Sequence, residues 1–287
     1  MPTDLSKDPN DYIMDPESAT EMARLMNQDR AMTKGMGGLL PERNNNFEGF
    51  DNVLDIGCGP GSWVLEAAQS NEERRIVGID ISRQMIQYAR AQAFSQRLHN
   101  AEFEIANALE PMPFDDGSFD LVNARFIVGF TPIGKWPSFL KECMRILRPG
   151  GVIRLTEGDL GTSTSPSFDE IGVMLAKLLK MAGFSFSHDE KSIGIIIAMR
   201  RLLTEAGFEN VRKMAHLFET RPGDEGYGMW MDNFKVTYSS LLPIFIQMHI
   251  TTQEKFDELY AQALRDIIDS DFCTLSYFVT MWATKPQ

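Results

Sequence analysis

Between residues 52 and 155, short apolar runs alternate with stretches whose apolar residues recur every three to four positions. That alternation predicts strands over 52–56, 75–79, 101–106, 120–123 and 152–155. It predicts helices from 62 to about 69, over 82–93 and over 137–147. Strands and helices in strict alternation make a parallel sheet covered by helices on both faces. Beyond Glu157 the order loosens. Residues 161–166 read as a loop before an amphipathic helix over 168–181, and a helix over 192–205 ends at Ala206-Gly207, where glycine suits a helix C-terminus. A strand over 211–218, a helical insertion over about 222–270 rich in Met, Phe and Tyr, and a β-rich strand over 274–283 complete the pattern.

The stretch before the first strand has a different character. A proline-marked polar lead precedes a helix over about 16–34, in which Ala19, Met22, Ala23, Leu25 and Met26 form one apolar face, and Gly35, Gly37, Gly38 and Pro41 then break it. The expected organisation is therefore a helical cap over 1–46, a core over 47–161, and a continuation of the same fold over 162–287 with helical insertions at about 162–190 and 222–270. The cap, with its glycine hinge, is expected to act as a lid.

Composition narrows the function classes. A formal net charge of −12 and the absence of a long Lys/Arg patch argue against nucleic acid as a partner. No stretch reaches the roughly 18 uninterrupted apolar residues of a membrane span, and the first residues lack the apolar centre of a secretory signal, so a cytoplasmic protein is expected. Cys58, Cys143 and Cys273 lie far apart without metal-ligand spacing and are expected as reduced thiols.

The chemistry concentrates in Val53-Leu54-Asp55-Ile56-Gly57-Cys58-Gly59-Pro60-Gly61, a strand that ends in an acid and three alternate glycines. Glycines let the turn bend sharply and let a ligand lie against bare backbone, while the helix from Ser62 directs free N–H groups at it. The dinucleotide fingerprint requires a third glycine or alanine where Ser62 stands, and the leading Asp55 suits a ligand with a positive or hydrogen-donating group. Asp80 closes the second predicted strand, at the edge where an acid can accept both hydroxyls of a ribose. Capping of the next helix is the alternative role for Asp80, and Ser82 could do that capping itself.

Residues 53–61, Asp80, Ile105-Ala106-Asn107-Ala108-Leu109, the run from Pro113-Phe114 to Phe119-Asp120-Leu121-Val122, and Arg145-Ile146-Leu147-Arg148-Pro149-Gly150-Gly151 together resemble the class I S-adenosylmethionine-dependent methyltransferases. Within that superfamily the motifs look closest to the quinone C-methyltransferases and many natural-product methyltransferases. The resemblance implies a Rossmann-like, doubly wound, mostly parallel seven-stranded sheet with an antiparallel last strand. It implies S-adenosylmethionine as cofactor, held by Asp55, Gly57, Gly59, Gly61, Asp80, Ile81, Met85, Asn107, Ala108, Asn123, Arg125 and Tyr12. The family's acid at the adenine position is Asn107 here; its amide oxygen can still accept from the adenine amino group, and the Ala108 N–H can donate to a ring nitrogen. A turn role is the alternative for Asn107.

The implied reaction is in-line methyl transfer to N, O or C of a small, partly apolar organic acceptor, with rate supplied by holding the reactants in line in a dry site. A base is needed only for a weakly acidic acceptor. Glu157, just past the fifth predicted strand, ranks first; His188 is the second catalytic candidate, with His216, His249, Tyr12 and Tyr227 behind. Met229, Trp230, Met231, Phe234, Tyr238, Phe245 and Met248 form an acceptor lid or simply the core of the second insertion. An NAD-dependent oxidoreductase and a non-catalytic S-adenosylmethionine-binding protein are the alternatives, and a homodimer is left open.

Overall fold

The computed structural model describes residues 19–287 and, of their side chains, those from residue 21 on. The lead of the cap, including Tyr12, lies outside the described residues. The chain forms an eight-stranded sheet in the order β3-β2-β1-β4-β5-β8-β6, with β7 pairing the far side of β8. The strands are β1 (Asn52–Ile56), β2 (Arg75–Asp80), β3 (Ala101–Ile105), β4 (Phe119–Arg125), β5 (Leu147–Gly158), β6 (Thr162–Ser163), β7 (Glu209–Thr220) and β8 (Thr274–Thr284). The strands β1 to β5 run parallel and β8 runs antiparallel to both β5 and β7. The seven expected strands are present with the expected antiparallel last one. The eighth is the two-residue β6, too short to leave a periodic trace.

The helices are α1 (Ala19–Met36), α2 (Ser62–Ser70), α3 (Arg83–Ser95), α4 (Trp136–Ile146), α5 (Pro166–Met181), α6 (Ile195–Glu205), α7 (Tyr227–Gln247) and α8 (Gln253–Asp266). Strands β1, β2 and β4 are buried nearly throughout because helices cover both faces, so they read as continuous apolar runs. One core holds Leu54, Ile56, Val122, Ile153 and Leu155 against α4 and α6. A second holds Val53, Trp63, Val64, Ile76 and Phe103 between the sheet and α2 and α3.

Three boundaries differ from expectation. Helix α6 starts at Ile195, because the Asp159 carboxylate accepts from the Ser192 hydroxyl and the N–H groups of Ile193 and Gly194, and Gly194 sits at φ 77°. That arrangement pins 192–194 as a loop. Strand β5 is longer than 152–155, since β8 pairs it from Val152 to Gly158. The second insertion is two helices parted at Met248–Thr251, where His249 takes a left-handed conformation. Helix α1 packs on α2 and α7, and its Gly35 leaves room for the Phe218 ring of β7.

Candidate functional site

Strand order reverses between β1 and β4, and in such sheets the crevice past the carboxyl ends of the strands is the place for a ligand. A cavity of about 820 Å³ opens there, lined by the glycine turn, the ends of β2, β4 and β5, and residues of α1, α5 and α7.

The glycines of the turn serve different purposes. Gly59 lies at φ 52°, and a Cβ built on it meets nothing within 4 Å, so its side-chain direction is open space at the cavity. Gly61 lies at φ 85°, and a Cβ there would stand 2.7 Å from the Phe103 ring and 2.8 Å from the Ala89 Cβ. Gly59 is thus fitted for a ligand and Gly61 for close packing of α2 on the sheet. Asp80 spans the turn: its Oδ2 accepts from the Gly59 N–H at 2.9 Å and its Oδ1 from the Ser82 N–H at 2.8 Å. The Ser82 hydroxyl caps α3 by accepting from the Met85 N–H, so the capping role weighed for Asp80 falls to Ser82, and Asp80 lines the cavity.

At the next strand end Asn107 forms a local turn, its Oδ1 accepting from the Leu109 N–H at 2.9 Å. The turn role weighed for Asn107 is therefore present, and an amide oxygen has a second lone pair for a ligand. Ile81, 47% exposed, Met85 and Ala108 also line the cavity.

Asp55 ends β1 almost wholly buried. Its Oδ1 accepts from Asn123 Nδ2 at 2.7 Å, and burial pushes its pKa up to about 7, against the opposing pull of Arg125, the Asn123 hydrogen bond and Arg154. Arg125, at the end of β4, pairs with Asp29 of α1 and donates to Thr33 at 3.1 Å, so the N-terminal helix is fastened over this part of the cavity. Asn123 does not line the cavity and reaches it only through Asp55.

Glu157, near the end of β5, is fully buried and lines the cavity. Its Oε1 accepts from the N–H groups of Ile127 at 2.8 Å and Val128 at 3.3 Å, while Oε2 has no partner among the described residues. Burial pushes its pKa up to about 8, with the two backbone N–H groups pulling the other way. His188 is exposed and lies outside the cavity lining, as does the exposed His249, so neither can reach a ligand there. This corrects the expectation for His188. His216 is buried against Thr280 at 3.0 Å, and the Tyr227 hydroxyl donates to the Ile267 carbonyl; neither lines the cavity.

The rest of the cavity is aromatic. Phe126, Phe278, Phe218 and Trp230 form a chain of edge-on rings 5.3–6.0 Å apart, and Gly158 leaves space for the Phe278 ring. Phe168 and Phe234 stack at 4.1 Å, next to Tyr238, and Phe234 stands one turn along α7 from Trp230. Trp230, Phe234 and Tyr238 belong to both readings offered for the insertion: they line the cavity, and Phe234 is also core between α5, α7 and α8. Phe126, Phe218 and Phe278 escaped sequence reading, since isolated aromatics on or just after strands read as ordinary core. Asp29 and Arg24 also escaped, and only tertiary packing of α1 brings them to the cavity.

Comparison with known proteins agrees with the geometry. The profile of a methyltransferase domain family matches residues 53–151. A demethylmenaquinone methyltransferase of Listeria monocytogenes is 30% identical over 181 residues, covering 58% of this chain and 73% of the relative. Among solved structures, the YcgJ protein of Bacillus subtilis superposes with a TM-score of 0.57 at 17% identity, covering 88% of this chain and 99% of that one. A phosphoethanolamine N-methyltransferase of Haemonchus contortus, solved with phosphomonomethylethanolamine and S-adenosylhomocysteine, gives a TM-score of 0.50 at 18% identity over 88% of this chain and 52% of its own.

Proposed function

The chain belongs to the class I S-adenosylmethionine-dependent methyltransferases, and from that premise we propose that it methylates N, O or C of a small, partly apolar organic acceptor held in the aromatic half of the cavity. The residues at the strand ends fit the cofactor: the open space at Gly59 admits a ligand against bare backbone, and Asp80 offers a carboxylate at the ribose position. Asp55 receives the amino group of the methionine moiety, Ile81 and Ala108 flank the adenine, and Asn107 accepts from its amino group. When bound, the cofactor supplies a methyl group on a cationic sulfur. No helix among the described residues is long and apolar enough to cross a membrane.

The chain's own part is to position, to dry and to take a proton. The rings of Phe126, Phe278, Phe218, Trp230, Phe168 and Phe234 in the cavity lining exclude water and hold an apolar body. Glu157 takes the acceptor's proton at Oε2, the oxygen without a partner. A carboxyl pushed up to about 8 is matched to proton transfer near neutral pH, because an ordinary carboxylate would be too weak a base. The observation that carries the reading is the Glu157 carboxylate in the cavity lining, one of whose oxygens has no partner among the described residues.

The test is transfer of a labelled methyl group from S-adenosylmethionine to a panel of hydroxylated, aminated and activated-carbon aromatic compounds, guided by mass spectrometry of molecules retained on purification. Methylation confined to charged, highly polar acceptors would overturn the apolar assignment. Cofactor binding with no transfer to any acceptor would favour a binding protein.

A further inference from the structure

We propose that Arg154 is a positioning residue for the cofactor site: held by Glu42, it fixes the Asn123 amide, which in turn aims the Asp55 carboxylate. Asp55, Asn123 and Arg154 stand directly opposite one another on β1, β4 and β5, in one row across the sheet. Arg154 Nη1 donates to Asn123 Oδ1 at 2.8 Å, and Asn123 Nδ2 donates to Asp55 Oδ1 at 2.7 Å. Arg154 Nε donates to Glu42 Oε1 at 2.7 Å, with both side chains buried, at 0% and 3% exposure.

The chemistry of the row runs in one direction. A guanidinium can only donate, so it claims the oxygen end of the amide and leaves the NH₂ end for the carboxylate. Without Arg154, the Asn123 oxygen loses its donor, the amide is no longer held in the row, and the carboxylate loses a fixed partner. Stability is a poor reason for the arrangement. A buried ion pair rarely outdoes apolar side chains of the same volume, and central strands of such sheets are ordinarily apolar. Glu42 comes from the turn Pro41–Arg43 between α1 and β1, so the row also ties the N-terminal segment to the floor of the cofactor site.

The inference rests on the reading that Asp55 receives the cofactor's amino group, and two ligands separate the two claims. S-adenosylhomocysteine carries that group; 5′-methylthioadenosine has the same nucleoside and sulfur without the amino-acid portion. Calorimetry on the full chain is expected to show Arg154→Met losing about tenfold in affinity for the first ligand, the scale of one charge-assisted hydrogen bond, and under about twofold for the second. Since Arg154→Met strands Glu42 in the interior, the double variant Glu42→Met/Arg154→Met, with no buried charge left unpaired, is the companion. It is expected to regain melting temperature and to keep the selective loss. Equal losses for both ligands, or recovery of S-adenosylhomocysteine affinity in the double variant, would overturn the positioning role. If Asp55→Asn weakens S-adenosylhomocysteine selectively while the Arg154 variants do not, only the positioning proposal falls. If Asp55→Asn weakens neither ligand, the reading of Asp55 itself falls.

Discussion

Glu157→Gln tests the candidate base before any acceptor is known, through the stability of the ligand-free protein. Burial raises the carboxyl from 4.5 to about 8, so in the folded state it prefers to be protonated, whereas the unfolded chain ionises it at its ordinary value. A raised folded pKa gives stability that is fully present below the unfolded value and is lost as pH rises through the folded one. From about pH 5.5 to the folded value near 8, the loss is about 1.4 kcal/mol for each pH unit, about 3 kcal/mol in all. Gln carries no charge at any pH, and its carbonyl oxygen can still accept from Ile127 and Val128. Equilibrium urea unfolding of both proteins is therefore expected to show the variant gaining on the wild type by about 3 kcal/mol between about pH 5.5 and about pH 8.5. Asp55, also raised, titrates in both proteins and drops out of the difference. Parallel stability curves would mean that Glu157 is ionised throughout, and the argument for a base tuned by burial would be refuted.

Four further outcomes are expected. Asp80→Ala should weaken S-adenosylmethionine binding by about 1.5–3 kcal/mol in calorimetry, and unchanged affinity would remove Asp80 from the site. Gly59→Ala should lower cofactor affinity with only about 1 kcal/mol of backbone strain, because its Cβ points into open space, whereas Gly61→Ala should mainly lower the melting temperature by colliding with Phe103 and Ala89; the reverse pattern would contradict the division between them. Deleting residues 1–40 removes Asp29 and Thr33 from Arg125 and should leave a folded core with reduced cofactor affinity, while an unaltered affinity would make the cap a passive extension. Phe234→Ala, in a ring stack shared with Phe168 and Tyr260, should cost about 3–5 kcal/mol of stability, whereas Trp230→Ala should raise the acceptor KM at near-normal cofactor affinity; equal losses from both would make the aromatic wall ordinary core.

What the sequence disclosed and what it withheld divide along a physical line. Contiguous signals were readable: the glycine turn, the acid ending β2, the Ser82 cap and the alternation of strand and helix all depend on neighbours a few residues away. Contacts over long separations were not. Arg125 shows no sign in the sequence of its partner Asp29, and the side chain of Glu42 gives no hint that it will meet Arg154 across the sheet. His188 drew notice because histidine titrates near neutral pH, but chemistry without a position is not a site, and the position is solvent. Glu157 could be ranked first because the end of a parallel strand is a position that sequence reading does supply. Its unpartnered oxygen could not be foreseen, since the backbone N–H groups that hold its other oxygen come from the turn after β4.

The two halves of the cavity rest on different kinds of support, and this bears on how the acceptor is to be found. Asp55, Asn123, Arg154 and Glu157 sit on central parallel strands, where neighbouring ladders fix each backbone and a small displacement would be felt across the sheet. Apart from Phe126, which follows β4, the aromatic rings stand on α5, α7 and the antiparallel strands β7 and β8, outside the parallel core. On the proposed reading, cofactor recognition follows from the parallel sheet, and acceptor recognition from what is built around it. Gly158, whose missing side chain admits the Phe278 ring, stands where the two halves meet. A side chain at that position would collide with the Phe278 ring, one of the rings proposed to hold the acceptor, within a residue of the proposed base.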